Sequence, residues 1–472
     1  MLVESFSGIR GLYKTDLKKD LIVGYALSFS NFLKEKTEKP TIVIGMDTRP
    51  SSKQIKDEMI SVFVSQSIDV IDVGLNTTPA VQLGIRLYKA DGGVIITASH
   101  NEPEWNGFKF LSEKGSMLKP EDVEEVIKDR KLIKAKESKV KGALVDKEKE
   151  LQRAYIDFIL DIIGKEGIRS ITKAGLKLVV DPNGGTAATV IRGILEKAGV
   201  EVIGKNIELG VFNRLIEPNE KSLAYLAFYA KDLDADLGAG WDCDGDRVEI
   251  VLPDGRMLSG QYVLALVVDE VLSGYKGKNK VVVINDATSN LIYEVAEKYN
   301  TNVVETEVGE INVVEKMDEL NAPVGGEGSS SGGIIPPSRC RDGILCLMLI
   351  LRSMAKKRKK LSEILNSLPQ YFNSRIDMRC EPGKAAGLRR RLENYWKNQK
   401  YIKEIRKTGD ETGGLKIIRE MTKEGPGWIW YRASKTEAGV FRIITDTKSK
   451  LYADKLLAMG EKAFNDCLNE IK

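Results

Sequence analysis

Gly92-Gly93-Val94-Ile95-Ile96-Thr97-Ala98-Ser99-His100-Asn101, continued by Trp105-Asn106-Gly107-Phe108-Lys109, is the stretch on which the reading of this chain turns. Val94 to Ile96 is a short apolar, β-branched run with glycines before it and small polar residues after it. That pattern predicts a buried strand ending in a tight loop. Ser99 sits where the strand gives out, with an imidazole beside it, an amide after it and Lys109 further on. A serine needs such neighbours to act as a nucleophile or phosphoryl carrier. His100 is the single histidine among 472 residues, so imidazole chemistry happens in this loop or nowhere. Alone, Ser-His is more simply a polar loop with an incidental histidine; the downstream motifs change that balance.

Outward from this strand, apolar strands alternate with amphipathic helices. Strands are predicted at 41–45 and 68–73, helices at 52–65 and 79–88. The alternation predicts a parallel or mixed sheet covered on both faces. After a charged stretch at 129–150 comes a helix near 151–163. The pattern restarts at 176–181, with Pro182-Asn183-Gly184-Gly185 and a helix to Ala198, and again at 281–285, with a helix from Ser289 and a strand near Val303. Beyond about residue 367 strands come in pairs: 371–380, a helix at 384–397, strands at 415–420, 427–432 and 440–446, then a final helix at 450–472. The expected architecture is three similar α/β domains (1–150, 151–255, 256–367) with mixed sheets and a C-terminal α+β domain (368–472).

Composition sets outer bounds. Net charge is +4 from 72 basic and 68 acidic residues, too balanced to argue for nucleic acid. The longest basic run, Lys356-Lys357-Arg358-Lys359-Lys360, lies between two apolar helices and reads as a solvated interdomain turn. Five cysteines, odd in number and without a CxxC pair, argue against a disulfide frame or a zinc site. The first residues lack a basic and an apolar signal region, and no apolar run reaches the ~18–20 residues of a membrane span. A cytoplasmic protein is expected, without a membrane or nucleic-acid partner, as a monomer or homodimer.

Three further motifs carry chemistry. Leu237-Gly238-Ala239-Gly240-Trp241 leads into Asp242-Cys243-Asp244-Gly245-Asp246-Arg247. Three carboxylates at alternate positions converge only if the backbone turns tightly, which Gly245 permits. Converged, they repel one another unless a hard cation binds, and Mg²⁺ or Ca²⁺ takes oxygen ligands. A calcium EF-hand is excluded, because Arg247 and Pro253 stand where that loop needs Gly and Glu. Gly325-Gly326-Glu327-Gly328-Ser329-Ser330-Ser331-Gly332-Gly333 has a linker's composition, yet its apolar flanks argue for a strand-end loop presenting a carboxylate and hydroxyls, which suit a sugar. Arg432, Ser434, Lys435, Thr436 and Arg442 make either a phosphate cradle or a solvated charged turn. No nucleotide P-loop is present.

In their order these loops resemble the α-D-phosphohexomutase family, of the phosphomannomutase/phosphoglucomutase type. The carriers are Thr97 to Asn101 with Asn106-Gly107-Phe108-Lys109; Asp242, Asp244, Asp246 and Arg247; Gly326-Glu327 with a following Ser; and Arg432, Ser434, Thr436 and Glu437. Supporting stretches are Ser7-Gly8-Ile9-Arg10-Gly11, Gly45-x-Asp47-x-Arg49, Asp181-x-Asn183-Gly184 and Arg341-Asp342-Gly343. The match covers nearly the whole chain and implies four domains around a central cleft. The chain departs from the family pattern in a sugar loop two residues longer, in Lys435 for the usual Gly and Ala438 for the usual Pro, and in one extra residue before Arg442.

The resemblance implies a phosphorylated Ser99 that exchanges its phosphoryl group with a hexose 1- or 6-phosphate through a hexose 1,6-bisphosphate. Asp242, Asp244 and Asp246 would hold Mg²⁺, with Ser99 or its phosphate as a further ligand. Arg247 and Arg10 would stabilise charge, and Lys109 or His100 would move the proton. Glu327 with Ser329 or Ser331 would hold the sugar; Arg432, Ser434, Lys435, Thr436 and Arg442 would grip the other phosphate. Two rivals remain at this point. An aspartate-nucleophile phosphatase shares Asp244-x-Asp246-x-Val248 but normally carries it at the end of its first strand. A sugar-phosphate-binding protein without turnover would have no use for a phosphoryl carrier.

Overall fold

In a computed structural model, the structure describes residues 2–130, 140–422, 425–435, 437 and 439–470, with the side chains of 330, 421, 422 and 425 left out of the description. The chain forms two compact units, Met1–Val271 with Ser330–Leu365, and Leu272–Ser329 with Asn366–Lys472. The architecture is three α/β domains with mixed sheets and a β-rich C-terminal domain.

In the first unit, a seven-stranded sheet is built around three parallel neighbours, Thr41–Met46 between Gly92–Ile96 and Asp69–Leu75. The predicted strands and the helices Ser52–Ser65 and Thr78–Tyr88 are present, within a residue or two of expectation. Thr77 caps the second helix by accepting from the Ala80 amide (3.2 Å), with a proline in its first turn. Trp105–Ser112 runs antiparallel to Gly92–Ile96 and pairs Ile95 with Lys109. Its period-two alternation sends Phe108 and Phe110 into the core, where they pack with Tyr25 and Phe29, and leaves Lys109 on the opposite face. Periodicity did not delimit Gly8–Leu12 or the helix Lys19–Lys34, whose buried residues run nearly all round it.

A second sheet of the same unit has Leu237–Trp241 at its centre, parallel to Lys177–Asp181 and antiparallel to Val248–Val251. The helix expected near 151–163 is longer, Glu148–Ala174, and Gly164 interrupts it with a φ of 75°. It packs on Gly343–Lys357. Lys356 and Lys357 of the basic run end that apolar helix and pair with Glu270 (2.7 Å) and Asp269 (2.6 Å). Cations suit the carbonyl end of a helix, so part of the run has a structural use.

The second unit carries the parallel strands Asn302–Thr306, Val281–Asn285 and Val324–Glu327. It also carries a five-stranded antiparallel sheet, in which Ile402–Lys407 is a strand the alternation did not reveal. Its charged sequence leaves only Ile402 and Ile405 to meet the core. The closing helix is Lys450–Asn469, capped by Ser449. No helix among the described residues is long and apolar enough to cross a membrane, and the five cysteines are buried and unpaired with one another.

Candidate active site

Ser99 follows its strand by three residues and is 1% exposed. Its φ of +52° is a left-handed conformation, which costs a non-glycine residue about 1–3 kcal/mol unless the surroundings impose it. They do. The Ser99 amide donates to Thr97 Oγ1 (2.8 Å), and buried Arg49 donates to the carbonyls of Ser99 (2.7 Å), Asn101 (2.5 Å), Glu102 (2.7 Å) and Trp105 (3.2 Å). Arg49 is itself held by Asp47 at 3.0 Å, and Ser52 donates to the same carboxylate (2.6 Å). Asn106 donates to Ser51 (2.7 Å) and Ser52 (3.0 Å), tying the loop's return strand to this support.

The Ser99 hydroxyl donates to Asp242 Oδ2 at 3.1 Å. Asp242, Asp244 and Asp246 occupy the hairpin loop between Leu237–Trp241 and Val248–Val251, and a carboxylate oxygen from each lies within 4.8 Å of the others. Gly245 makes the turn with a φ of +71°. Lys109 Nζ reaches Asp244 Oδ2 (3.1 Å) and Asp246 Oδ2 (3.6 Å). Thr78, at the start of its helix, donates its hydroxyl to Asp244 Oδ2 (2.7 Å) and its amide to the Asp244 main-chain carbonyl (2.9 Å), which seats that residue at the positive end of the helix.

Two supporting stretches acquire concrete roles. Arg214 donates to Asp181 Oδ2 (2.9 Å) and to the Trp241 carbonyl (2.7 Å), fixing the entry to the acidic loop. Arg341 donates to Asp246 Oδ2 (3.0 Å), while Asp342 caps the helix Gly343–Lys357 and accepts from Tyr155 (2.8 Å). Any Cβ at Gly343 would sit 2.7 Å from the Arg247 carbonyl carbon, so that helix start approaches the acidic loop only as glycine. Sequence reasoning gave Arg49, Arg341 and Thr78 no site role. The first two lie in recognisable stretches, but Thr78 carries no local signal.

The electrostatics suit a cation. Burial, with Asp246 and Asp244 beside it, pushes the Asp242 carboxyl well above the carboxylate range. Burial pulls Asp246 upward too, but Arg341, Lys109 and Arg247 outweigh it and hold that carboxyl below its usual value. Asp244 Oδ1 and Asp246 Oδ1 are buried without a hydrogen-bond partner. Orphaned carboxylate oxygens of an all-oxygen donor set fit a hard divalent ion. Arg247 Nε lies 3.9 Å from both Asp242 and Asp246. Arg10 donates to Asn101 (3.1 Å), and burial beside Arg247 lowers its pKa to about 10. His100 shares the loop and is half-buried.

In the second unit, Glu327 ends its strand buried and accepts from Asn285 Nδ2 and the Gly309 amide, each at 2.9 Å. Asn285 also donates to Ser329 (3.1 Å), which makes it the organiser of this loop and one that sequence reading did not single out. Arg432 and Arg442 are cross-strand neighbours. Arg432 and Lys435 both meet Glu307 at 2.8 Å, and Lys435 also meets Asp410 at 3.3 Å. Arg442 pairs with Glu437 (3.0 Å), and Ser434 accepts from the Glu437 amide (3.1 Å). Thr436 lies outside the described residues. Ser331, in the first unit, donates its hydroxyl to Glu249.

Residues 4–137, 153–255 and 259–372 match, in that order, domains I, II and III of one family, each described as phosphoglucomutase/phosphomannomutase, alpha/beta/alpha domain. A protein of Thermococcus kodakarensis named phosphoglucomutase/phosphomannomutase is 34% identical over 469 residues, covering 98% of both chains. One of Pyrococcus abyssi, named "Probable phosphoglucosamine mutase", is 31% identical with the same coverage. A crystal structure of a phosphoglucomutase/phosphomannomutase family protein from Burkholderia thailandensis superimposes with a TM-score of 0.81 over 98% of this chain and 97% of that one, at 20% identity.

Proposed function

The chain belongs to the phosphoglucomutase/phosphomannomutase family and is a phosphohexomutase, an isomerase; on that premise we propose that it moves a phosphoryl group between the 1- and 6-hydroxyls of a hexose by way of a phosphoserine at Ser99. The observation that carries this reading is the Ser99 hydroxyl donating to Asp242 at 3.1 Å, which joins a buried serine to the three-aspartate group. In the first half-reaction the bond from Ser99 Oγ to phosphorus breaks, a bond from phosphorus to the free sugar hydroxyl forms, and that hydroxyl gives up its proton. The second half-reaction runs in reverse from the other end of the bisphosphorylated sugar.

Asp242, Asp244 and Asp246, with an oxygen of Ser99 or its phosphate, would hold Mg²⁺, which when bound offsets charge on the transferring phosphoryl group. The chain's own groups have separate tasks. Arg49 and Thr97 fix the backbone of Ser99, so the carrier oxygen is positioned before substrate arrives. Arg247 and Arg10 supply positive charge near the same oxygen. Lys109, buried against Asp244, is the group placed to move the proton, ahead of the half-buried His100.

The second unit carries groups suited to a sugar and to a phosphate. Glu327, oriented by Asn285 and Gly309, accepts hydrogen bonds from sugar hydroxyls. Arg432, Lys435, Ser434 and Arg442, with Thr436, bind the phosphate that is not being transferred. Glu307 pairs with both Arg432 and Lys435 at 2.8 Å, so an incoming phosphate must compete with that carboxylate. Glucose, mannose and glucosamine phosphates all present the hydroxyls this set requires. Conversion of a panel of hexose 1-phosphates, followed by ³¹P NMR with and without EDTA, tests the proposal. It predicts a Mg²⁺-dependent 6-phosphate from at least one sugar; inertness toward all of them overturns it.

A further inference from the structure

Ser331 stands directly before Gly332-Gly333 in the sugar loop, and its hydroxyl is already engaged. It has a left-handed φ of +53° and is 9% exposed, and it donates to Glu249 Oε1. Glu249 sits on Val248–Val251, three residues after Asp246, and faces Gly240 across the hairpin. The carboxylate also accepts from the Gly260 amide, and its Oε2 is buried without a hydrogen-bond partner. A side chain this confined has few alternative rotamers, and the serine it holds is confined with it. Burial pushes the carboxyl up to about 8, with Glu217 adding to the rise, against the Ser331 and Gly260 bonds and the charge of Arg247. Ser329 differs: it is exposed, and its oxygen accepts from Asn285, which leaves its O–H proton for another acceptor.

We propose that Glu249 is a positioning residue of the sugar loop: it removes the Ser331 hydroxyl from substrate recognition, leaves Ser329 as the hydroxyl that meets the hexose, and so sets which hexose phosphate is preferred. The inference rests on the mutase reading, and it deepens that reading by dividing roles between two serines the sequence leaves equivalent. Glu249 touches no reacting atom; it acts through Ser331.

The test compares Ser331→Ala, Glu249→Leu, their double variant, Glu249→Gln and Ser329→Ala. Two readouts are taken: the ratio of kcat/KM for glucose 1-phosphate over glucosamine 1-phosphate, and amide exchange at Ser331, Gly332 and Gly333. Ser331→Ala and Glu249→Leu each shift the ratio by the same ~5–10-fold, the scale of one buried hydrogen bond. The double variant shifts it no further, because both singles break one contact. Exchange at the three amides rises in each, and Glu249→Gln, which keeps an acceptor oxygen, restores both readouts relative to Glu249→Leu. Ser329→Ala raises KM for both sugars and leaves exchange at the three amides unchanged. Additive effects of the two single variants, or unaltered exchange in Ser331→Ala, overturn the proposal. A wild-type protein inert toward every hexose phosphate would fail the mutase reading instead, and amide exchange would still judge the contact between Glu249 and Ser331.

Discussion

Replacing Arg49 with methionine keeps much of the side chain's length and apolar volume but removes the fork that reaches four carbonyls of the Ser99 loop. Two costs follow. Asp47 is left as a buried carboxylate with only the Ser52 hydroxyl and the residue 49 amide, and a buried pair broken from one side costs about 3–5 kcal/mol. Separately, the carbonyls of Ser99 and Asn101 lose the donors that hold Ser99 left-handed, and a misplacement of ~1 Å at the reacting oxygen costs ~10²-fold in rate, or about 3 kcal/mol in the barrier. The double variant Asp47→Asn/Arg49→Met separates the two. Removing the stranded charge should recover about half of the lost stability and none of the turnover. Urea unfolding and the coupled mutase assay measure them. If Arg49→Met turns over within threefold of wild type, the guanidinium does not position the carrier and the reasoning fails.

Asp244→Asn removes one charge from the acidic group and weakens its contact with Lys109; turnover should fall at least ~10²-fold, and a smaller loss would detach Asp244 from the reacting centre. Arg432→Ala should raise KM and lower kcat together, because distal binding holds the reacting hydroxyl in line; unchanged constants for every hexose phosphate would remove Arg432 from the phosphate site. Lys435→Gly should change KM by less than Arg432→Ala, since Glu307 and Asp410 already balance the lysine. Glu249 should make stability fall as pH rises: its carboxyl ordinarily titrates near 4.5 and is raised to about 8 in the fold, so the folded protein retains a proton between those values that the unfolded chain loses. The contribution is full below pH 4.5 and lost through pH 8, and Glu249→Gln should flatten that part of the Tm profile.

Much of the α/β architecture was legible because buried parallel strands leave apolar runs that end at loops with small polar residues. The Ser99 strand, Val281–Asn285 and Leu237–Trp241 all show it. The helix Lys19–Lys34 was not, since burial on most of its sides erases the 3.6-residue stripe. Loops that hold several functional groups in a few residues, as 242–247 does, could be found locally. Their supports could not: Thr78 reaches Asp244, Asn285 reaches Glu327 and Glu249 reaches Ser331 across 166, 42 and 82 residues, through contacts that only the fold creates. The equivalence of Ser329 and Ser331 was broken by the same means, because a left-handed backbone and a buried carboxylate leave no trace in a run of serines.

The account stands on Ser99 as the phosphoryl carrier, and direct transfer tests it. Protein phosphorylated with ³²P-labelled glucose 1,6-bisphosphate, freed of sugar and digested, should carry label on the peptide containing Ser99. Chased with unlabelled hexose 1-phosphate, the same protein should release that label into the sugar at the rate of turnover. Ser99→Ala should fold with an unchanged melting profile, take up no label and lack activity. Label on Asp244, or full turnover in Ser99→Ala, would contradict the account.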